Sequence, residues 1–308
     1  MSGNAFQKPS TSLDVLAIDQ YHEKGWLLLE DVIEPADLDA ARASIATFST
    51  VERSDRYSKS GRVDFTKIPN LAKNDEAFRR LASSSRLVSA VEALLGQPAL
   101  IFRDVLIAKP ARDGAPFTYH QDSEYWDVKP AALLSAWIPF RDVGIEDGCL
   151  RVIEVSHRQR YTHDLLVGAG HAMPRGLTLA LRKMATLSGT GDNDASGFTA
   201  MRALKRSILG NMTRHFPFLA GLQELHARVP DEEKCREVSL PVRAGSVIVF
   251  HSMLLHASHP NKSDSDRLAY IASYMGADYT FCGVGSPEFL VAGESKRRVF
   301  QKARIVHS

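Results

Sequence analysis

The residues of this sequence that are best suited to chemistry are histidines and carboxylates that could share a metal ion. His120 and Asp122 stand two apart, separated by Gln121, and on extended backbone such residues point to the same face, so both could bind one ion. With 11 histidines in the chain, a His-x-Asp pair arises by chance about half the time at average composition. The pair alone therefore indicates either part of a metal site or an ordinary hydrogen-bonded pair at the surface.

A later stretch offers a third ligand and a cation. The β-rich run 245–250 leads to His251, His256 and His259, and strand parity does not choose among them outside a regular strand. Two histidines and one carboxylate form the facial triad that leaves positions open on iron(II). Arg267 supplies a planar guanidinium that can hold a carboxylate through two hydrogen bonds. 2-Oxoglutarate would use both features, because its keto acid end can chelate iron while the arginine binds its distal carboxylate.

Four ordered blocks of the sequence resemble the phytanoyl-CoA dioxygenase family of iron(II)- and 2-oxoglutarate-dependent oxygenases. The opening 21–26, Tyr-His-Glu-Lys-Gly-Trp, also resembles the family's N-terminal helix and strand. The resemblance covers most of the chain and leaves out the segment 158–237 and the C-terminus. The four blocks are Tyr119-His120-Gln121-Asp122, Ser135-Ala136-Trp137, Asp147-Gly148-Cys149-Leu150 with Ser156-His157, and Leu255-His256 through to Arg267.

The resemblance implies a set of metal ligands. By position, His120, Asp122 and His256 match the family's iron ligands. Arg267 lies eleven residues after His256, and this interval, together with the family pattern, favours His256 over His251. We therefore expect His251 to be a core histidine or one that supports the ligands from outside.

The resemblance also implies cosubstrate contacts. Arg267 matches the family's carboxylate clamp. Ser258, Trp137 and Gln121 match positions that contact 2-oxoglutarate or line its pocket, and Lys67 matches a further lysine that binds it. The implied cofactors are iron(II), 2-oxoglutarate and dioxygen.

The implied fold is mainly β with flanking helices: a double-stranded β-helix, or cupin-like jelly roll, with a partly helical lid insertion. We predict a single domain, 1–308, with a mainly helical flank at 1–98, core segments at 99–157 and 238–285, and the lid at 158–237. Helices are expected from a cap at Ser12 to Gly25, from Pro35 to Phe48, from Asp75 to Leu95, and within the lid at 177–184 and 201–209. Strands are expected at 26–29, 100–108, 133–139, 150–154, 246–250 and 268–274.

The composition argues against a nucleic acid or a membrane as partner. Lysine and arginine total 38 against 36 acidic residues, a formal net charge of +2, which is too balanced to attract a polyanion by itself. No run reaches the roughly 18 apolar residues of a membrane span. Cys149, Cys235 and Cys282 are scattered without CxxC spacing, which fits a reducing compartment. We expect a soluble, cytoplasmic protein whose partner is a small molecule.

The carboxylate of Asp122 bears on the reaction type, since halogenating relatives carry Gly or Ala at that position. The resemblance therefore implies hydroxylation of an unactivated C–H bond, with release of succinate and CO2. Desaturation, oxidative cyclisation and epimerisation use the same cofactors and stay open as alternatives. A non-catalytic jelly-roll binding protein is disfavoured because no ligand is lost, and a zinc hydrolase because it has no use for Arg267.

The substrate has two weak signals. Between Gly170 and Arg214, seven basic residues stand against two acidic ones, which would suit an anionic metabolite, although a solvated basic face on lid helices is the plainer interpretation. Tyr125 and Trp126, just after Asp122, either line the substrate pocket or belong to the ordinary core. The seven basic residues are Arg175, Arg182, Lys183, Arg202, Lys205, Arg206 and Arg214.

Overall fold

The structure is a computed structural model that describes residues 13–48, 55–57, 65–112, 114, 116–126, 128–167, 171–172, 224–281 and 290–291. In chain order, the helices described are α1 (Val15–Lys24), α2 (Pro35–Thr47), α3 (Leu71–Asn74), α4 (Glu76–Ala82), α5 (Ser85–Leu95) and α6 (Asp231–Lys234). The strands described are β1 (Trp26–Leu29), β2 (Asp55–Tyr57), β3 (Phe65–Pro69), β4 (Ala99–Lys109), β5 (Phe117–His120), β6 (Val128–Lys129), β7 (Leu134–Pro139), β8 (Leu150–Ile153), β9 (His163–Val167), β10 (His171–Ala172), β11 (Glu224–Ala227), β12 (Glu237–Leu240), β13 (Val247–His251), β14 (His256–Ser258), β15 (Arg267–Gly276), β16 (Thr280–Phe281) and β17 (Leu290–Val291).

Two antiparallel sheets organise the molecule. The larger one has the order β1-β13-β7-β15-β4-β3-β2, with β17 also pairing with β4, and the smaller one has the order β12-β8-β14-β5. A three-stranded sheet, β10-β9-β11, and a two-stranded ribbon, β16-β6, complete the pairing. The protein is therefore mainly β, with its helices concentrated near the N-terminus, as predicted.

The larger sheet is covered on both faces, and alternation along its strands decides which side chain lies where. On one face Val249 and Tyr270 pack with helix residues, and the rings of Tyr270 and Phe78 of α4 meet edge to face at 5.0 Å. On the other face Ile248 packs with Val152 of the smaller sheet. The space between the two sheets is therefore a second core, and residues at its end can be shielded from water.

The N-terminal elements differ from the prediction in detail. The cap of α1 is Asp14, whose carboxylate accepts from the Ala17 amide at 2.7 Å, so the prediction of a cap at Ser12 was wrong. The helix ends at Gly25 as expected, in the left-handed conformation with φ of 86°. The single helix predicted over 75–95 is two helices, because the chain breaks between α4 and α5. The short strands β2 and β3 in this region were not predicted.

The segment 158–237 is described only at its two ends. These ends contribute β9, β10, β11 and α6, and β9 pairs antiparallel with both β10 and β11. The helices predicted at 177–184 and 201–209, and the seven basic residues of the segment, lie outside the described residues. Across the described part of the chain, no helix is long and apolar enough to cross a membrane.

Candidate metal and cosubstrate site

Neighbouring strands of the smaller sheet bring the two predicted histidine ligands together. His120 is the last residue of β5, and His256 is the first residue of β14 and its direct partner in the strand pairing. Opposed residues of antiparallel strands carry their side chains on the same face, and the two imidazole rings lie 4.2 Å apart between centroids. Asp122 begins a single 3-10 turn just after β5. The pairing thus converts a separation of 136 residues in sequence into adjacency.

The three side chains point their ligand atoms into one small space. The Asp122 Oδ1 atom lies 3.9 Å from Nε2 of His120 and 3.8 Å from Nε2 of His256. One ligand atom from each residue lies within 4.8 Å of the others, and no other group of this kind is found among the residues that the structure describes. We call His120, Asp122 and His256 the metal end of the site.

Backbone carbonyls set the orientation of both imidazoles. Nδ1 of His120 lies 2.8 Å from the Thr118 oxygen, and Nδ1 of His256 lies 2.9 Å from the Leu254 oxygen. Because a carbonyl can only accept, each Nδ1 carries the hydrogen and each Nε2 keeps its lone pair for a metal. Burial lowers the pKa of His120 well below its ordinary value, and His256 lowers it further, which favours the neutral form that binds metals.

A pair of serines orients the carboxylate. The Ser135 hydroxyl lies 3.1 Å from Oδ2 of Asp122 and also 3.1 Å from the hydroxyl of Ser273. Oδ2 is thus occupied by a hydrogen bond while Oδ1 faces the two histidines. Two neutral imidazoles and one oriented carboxylate are a donor set that fits iron(II) and leaves other positions of the ion free.

Arg267 lies at the opposite end of the core between the sheets. It is the first residue of β15, is only 2% exposed, and its guanidinium carbon lies 5.5 Å from the ring centroid of Trp137. Burial lowers its pKa to about 10, so it remains a cation at neutral pH. Its Nε atom is buried without a hydrogen-bond partner among the described residues. A buried donor left unpaired costs free energy, and an anionic ligand such as the distal carboxylate of 2-oxoglutarate would satisfy it.

Lys109, which was not predicted from the sequence to be a site residue, accompanies Arg267. It ends β4 directly opposite Arg267 in the strand pairing and is fully buried. Its Nζ atom lies 2.7 Å from the Ser258 hydroxyl and 2.6 Å from the His259 carbonyl oxygen. A lysine at the end of an apolar strand is recognisable in the sequence, but its pairing with Arg267 depends on strand register and could not be predicted. We call Arg267, Lys109 and Ser258 the cation end of the site.

Lys67 lies near the cation end. Its Nζ atom is 5.3 Å from the ring centroid of Phe117, and that of Lys109 is 4.9 Å from the same ring. Lys67 lies on β3, opposite Ile107 of β4. The structure therefore places Lys67 beside Phe117 and near Lys109, and its contact with 2-oxoglutarate stays a prediction.

Gln121 is engaged by backbone groups. It is fully buried, its amide nitrogen donates to the carbonyl oxygens of Gln159 at 2.8 Å and Met253 at 2.5 Å, and its amide oxygen accepts from the Tyr161 amide at 3.0 Å. Both amide hydrogens are used in this way. A contact between this amide nitrogen and the cosubstrate would need one bond to break, and the observed contacts assign Gln121 to holding together the loops around the metal end.

His251 lies apart from the metal end. Its ring packs on that of His157, with centroids 5.4 Å apart, and its Nδ1 accepts from the Met253 amide at 3.0 Å. Burial, together with the smaller effects of His157 and His22, lowers the pKa of His251 to about 4. Its place is thus the support of the loop that leads to His256.

A cluster that contains Tyr125, Trp126 and Phe102 reaches the metal end through Tyr125. The Tyr125 ring lies 5.8 Å from the His120 ring, and Phe102 meets Trp126 edge to face at 5.5 Å. The strand pairing has an irregularity beside Phe102, since Ser273 pairs with Arg103 but Tyr274 already pairs with Ile101. Bulges of this kind re-aim side chains and are frequent next to active sites.

Comparison with known proteins gives a consistent result. The family model for phytanoyl-CoA dioxygenase matches residues 21–269. L-proline trans-4-hydroxylase of Streptomyces griseoviridis is 24% identical, with 90% of this chain and 91% of that protein aligned. Phytanoyl-CoA dioxygenase domain-containing protein 1 of Mus musculus is 25% identical over 69% of this chain, which spans only 57% of that protein. The epimerase SnoN, solved with Fe3+, alpha ketoglutarate and nogalamycin RO, has a similar fold, with a TM-score of 0.61, 18% identity, and coverage of 88% of this chain and 86% of that one.

Proposed function

Because the chain belongs to the phytanoyl-CoA dioxygenase family and is a non-haem iron(II)- and 2-oxoglutarate-dependent dioxygenase, we propose that it hydroxylates an unactivated C–H bond of a small organic metabolite. Succinate and CO2 are the coproducts. The observation that carries the proposal is the convergence of His120, Asp122 and His256 within 4.8 Å, opposite a buried arginine that has an unpaired donor.

Each end of the site has one task in this proposal. His120, Asp122 and His256 hold iron(II), which supplies the oxygen chemistry when bound. Arg267 binds the distal carboxylate of 2-oxoglutarate, and the apolar core between the sheets keeps water from the charges. The protein's own part is thus to orient the cosubstrate and to leave room beside the metal for a C–H bond of the substrate.

The proposed architecture is a double-stranded β-helix with a lid. The pairing of a larger and a smaller antiparallel sheet around a common core, with the histidines on the smaller one, supports it. The lid assignment of 158–237 is supported by the position of its described ends, since the Tyr161 amide donates to Gln121 beside the metal end. Substrate would bind between this segment and the metal end.

We include an anionic group in the proposed substrate. L-proline, from which the Streptomyces relative takes its name, carries a carboxylate. In this chain Arg103 is exposed and lies opposite Ser273 in the pairing of β4 with β15, which puts both side chains on one face. Its guanidinium carbon lies 5.6 Å from the Trp126 ring centroid, and the described residues offer it no ion pair.

The first experiment is an anaerobic titration of the protein with iron(II) and then 2-oxoglutarate. Chelation of iron by the keto acid gives a weak visible charge-transfer band, which we expect to saturate at one equivalent. Folded protein without this band would refute the proposed use of 2-oxoglutarate.

A second experiment tests whether the substrate is anionic. A panel of small carboxylic acids and their matching amides is assayed for stimulation of 2-oxoglutarate consumption. We expect stimulation by acids only, and an increased KM in Arg103→Gln.

Epimerisation or oxidative cyclisation is the second candidate, favoured by the similarity of the fold to the epimerase SnoN. These reactions use the same metal ligands and cosubstrate as hydroxylation, so the geometry of the site does not distinguish the two candidate functions. Mass spectrometry of the product separates them: hydroxylation adds one oxygen atom, whereas epimerisation leaves the mass unchanged and cyclisation or desaturation lowers it by two hydrogens.

A further inference from the structure

We propose that Lys109 is a positioning residue for the cosubstrate: it fixes the Ser258 hydroxyl so that this group donates its hydrogen to the carboxylate bound by Arg267. The inference rests on the proposed function, since it takes that carboxylate to be the distal one of 2-oxoglutarate. Lys109 would then act through Ser258 rather than by touching the cosubstrate.

The first step is the placement of two cations side by side. Lys109 and Arg267 are directly paired at the ends of β4 and β15, where opposed Cβ atoms lie about 5 Å apart. Both are buried, with exposures of 0% and 2%. Burying a charged group costs free energy unless it is paired and hydrogen-bonded. Arg267 keeps a buried Nε without a hydrogen-bond partner among the described residues, so this end of the core is suited to an anionic ligand.

The second step is the hydrogen bonding of Ser258. An ammonium group can only donate, so at 2.7 Å the Ser258 oxygen must accept from Lys109. The hydroxyl hydrogen must then point elsewhere. Within the part of the chain that the structure describes, no acceptor for this hydrogen is found. The hydrogen bond from Lys109 thus leaves the Ser258 hydroxyl able to donate its own hydrogen to a bound ligand.

The third step is the direction of this donor. Ser258 follows His256 by two residues on β14, and residues two apart on a strand share a face. The side chain of Ser258 is therefore on the metal side of the sheet, and it is linked to Arg267 through Lys109, which bonds Ser258 and is the strand partner of Arg267. The bond from Lys109 to the His259 carbonyl at 2.6 Å holds the chain just beyond Ser258, so the lysine controls both the strand end and the hydroxyl.

The contacts also allow two other roles. Lys109 could contact the anion directly, or it could serve only to hold the His259 carbonyl. A direct contact predicts that Lys109 and Ser258 contribute independently to 2-oxoglutarate affinity. A purely structural role predicts loss of stability without a selective effect on the cosubstrate. Positioning through Ser258 predicts that the two contributions are not additive.

The experiment is a double-mutant cycle with Lys109→Met, Ser258→Ala and the double variant. For each, the dissociation constant of 2-oxoglutarate is measured anaerobically from the charge-transfer band of the iron(II)-loaded protein, alongside iron affinity and the thermal midpoint of the metal-free protein. A hydrogen bond to a charged group corresponds to a change of about tenfold or more. We expect about tenfold weaker 2-oxoglutarate binding in each single variant, no further loss in the double variant, and unchanged iron affinity.

Several outcomes overturn the proposal. These are an unchanged affinity in Ser258→Ala, a double variant whose loss is the product of the two single losses, and a Lys109→Met variant that loses stability but binds 2-oxoglutarate normally. Ser246→Ala, another buried serine with a single hydrogen bond, is the matched control and should bind as the parent does. If Lys109→Met does not fold, Lys109→Gln replaces it in the same cycle. A parent protein that shows no band at all would contradict the proposed function instead.

Discussion

The metal end and the cation end of the site are held in place by different means. At the metal end each histidine donates to the carbonyl oxygen two residues earlier in the chain, so the orientation of its ring is a local property of the chain. At the cation end Arg267, Lys109 and Ser258 come from three strands: Arg267 and Lys109 are opposed in a strand pairing, and a side-chain hydrogen bond joins Lys109 to Ser258. The orientation of the two imidazole rings should therefore tolerate changes elsewhere in the core, whereas the contacts of the cation end depend throughout on strand register. Changes made at one end at a time test this difference.

The largest effect is expected from Asp122→Ala at the metal end. The variant loses the only anionic ligand of the triad, so we expect iron(II) binding to be abolished. Folding should be retained, because the Ser135 hydroxyl keeps Ser273 as a partner. Iron titration and circular dichroism check both statements. Asp264→Ala, which removes an exposed aspartate paired with Arg112, is the control, and iron binding by Asp122→Ala equal to that of this control would remove Asp122 from the site.

Arg267→Met at the cation end should separate the two ends. We expect iron affinity to be kept and 2-oxoglutarate affinity to fall by about 100-fold, which corresponds to about 2.7 kcal/mol. The charge-transfer band at increasing 2-oxoglutarate measures the change. Arg86→Met on α5, whose guanidinium donates to the Asp31 carbonyl oxygen, should bind the cosubstrate normally. Unchanged affinity in Arg267→Met would mean that another cation holds the carboxylate, with Lys67 the next candidate.

Acid should weaken the support of the metal end through His251. Its pKa is lowered by burial from 6.5 to about 4, so below pH 6.5 the unfolded chain binds more protons than the folded one. The contribution of His251 to the free energy of unfolding is therefore fully present above pH 6.5 and decreases as the pH falls towards 4. The total decrease is about 3 kcal/mol at most. His157, whose pKa burial also lowers, acts in the same direction.

Urea unfolding of the metal-free protein between pH 7.5 and 4.5 measures this loss. His251→Asn is the matched variant, since its amide oxygen can accept from the Met253 amide without titrating. We expect the variant to lose less stability than the parent over this range. Equal slopes for the two proteins would assign the acid sensitivity to other groups.

The smallest effect is expected from Ser135→Ala, which tests how local the metal end is. Loss of the hydrogen bond to Asp122 leaves the carboxylate free to rotate, and removal of such a supporting contact costs about tenfold in metal affinity. 2-Oxoglutarate affinity at saturating iron should stay the same. Competition with a chelator of known affinity gives the iron constant, and a variant that loses both affinities equally would show that the two ends are coupled.

The sequence predicted much of this site because its chemistry is encoded in residue types and short intervals. The His-x-Asp block, the histidine eleven residues before an arginine, and the Gly25 cap are all visible in a few neighbouring residues. Helix and strand ends are less visible, since Asp14 and Ser12 are both good caps and only the contact with the Ala17 amide chooses between them. Strands as short as β5 and β14 carry too few residues to show alternation.

What the sequence determined by itself is the ligand set and the alternation of faces along the long strands. What only the tertiary structure decided is register, which places His120 beside His256 and Lys109 beside Arg267. The physical reason is that local spacing follows from backbone geometry, whereas the pairing of strands more than a hundred residues apart follows from the packing of whole sheets. The cation end, whose residues come from three different strands, was for that reason only partly predictable.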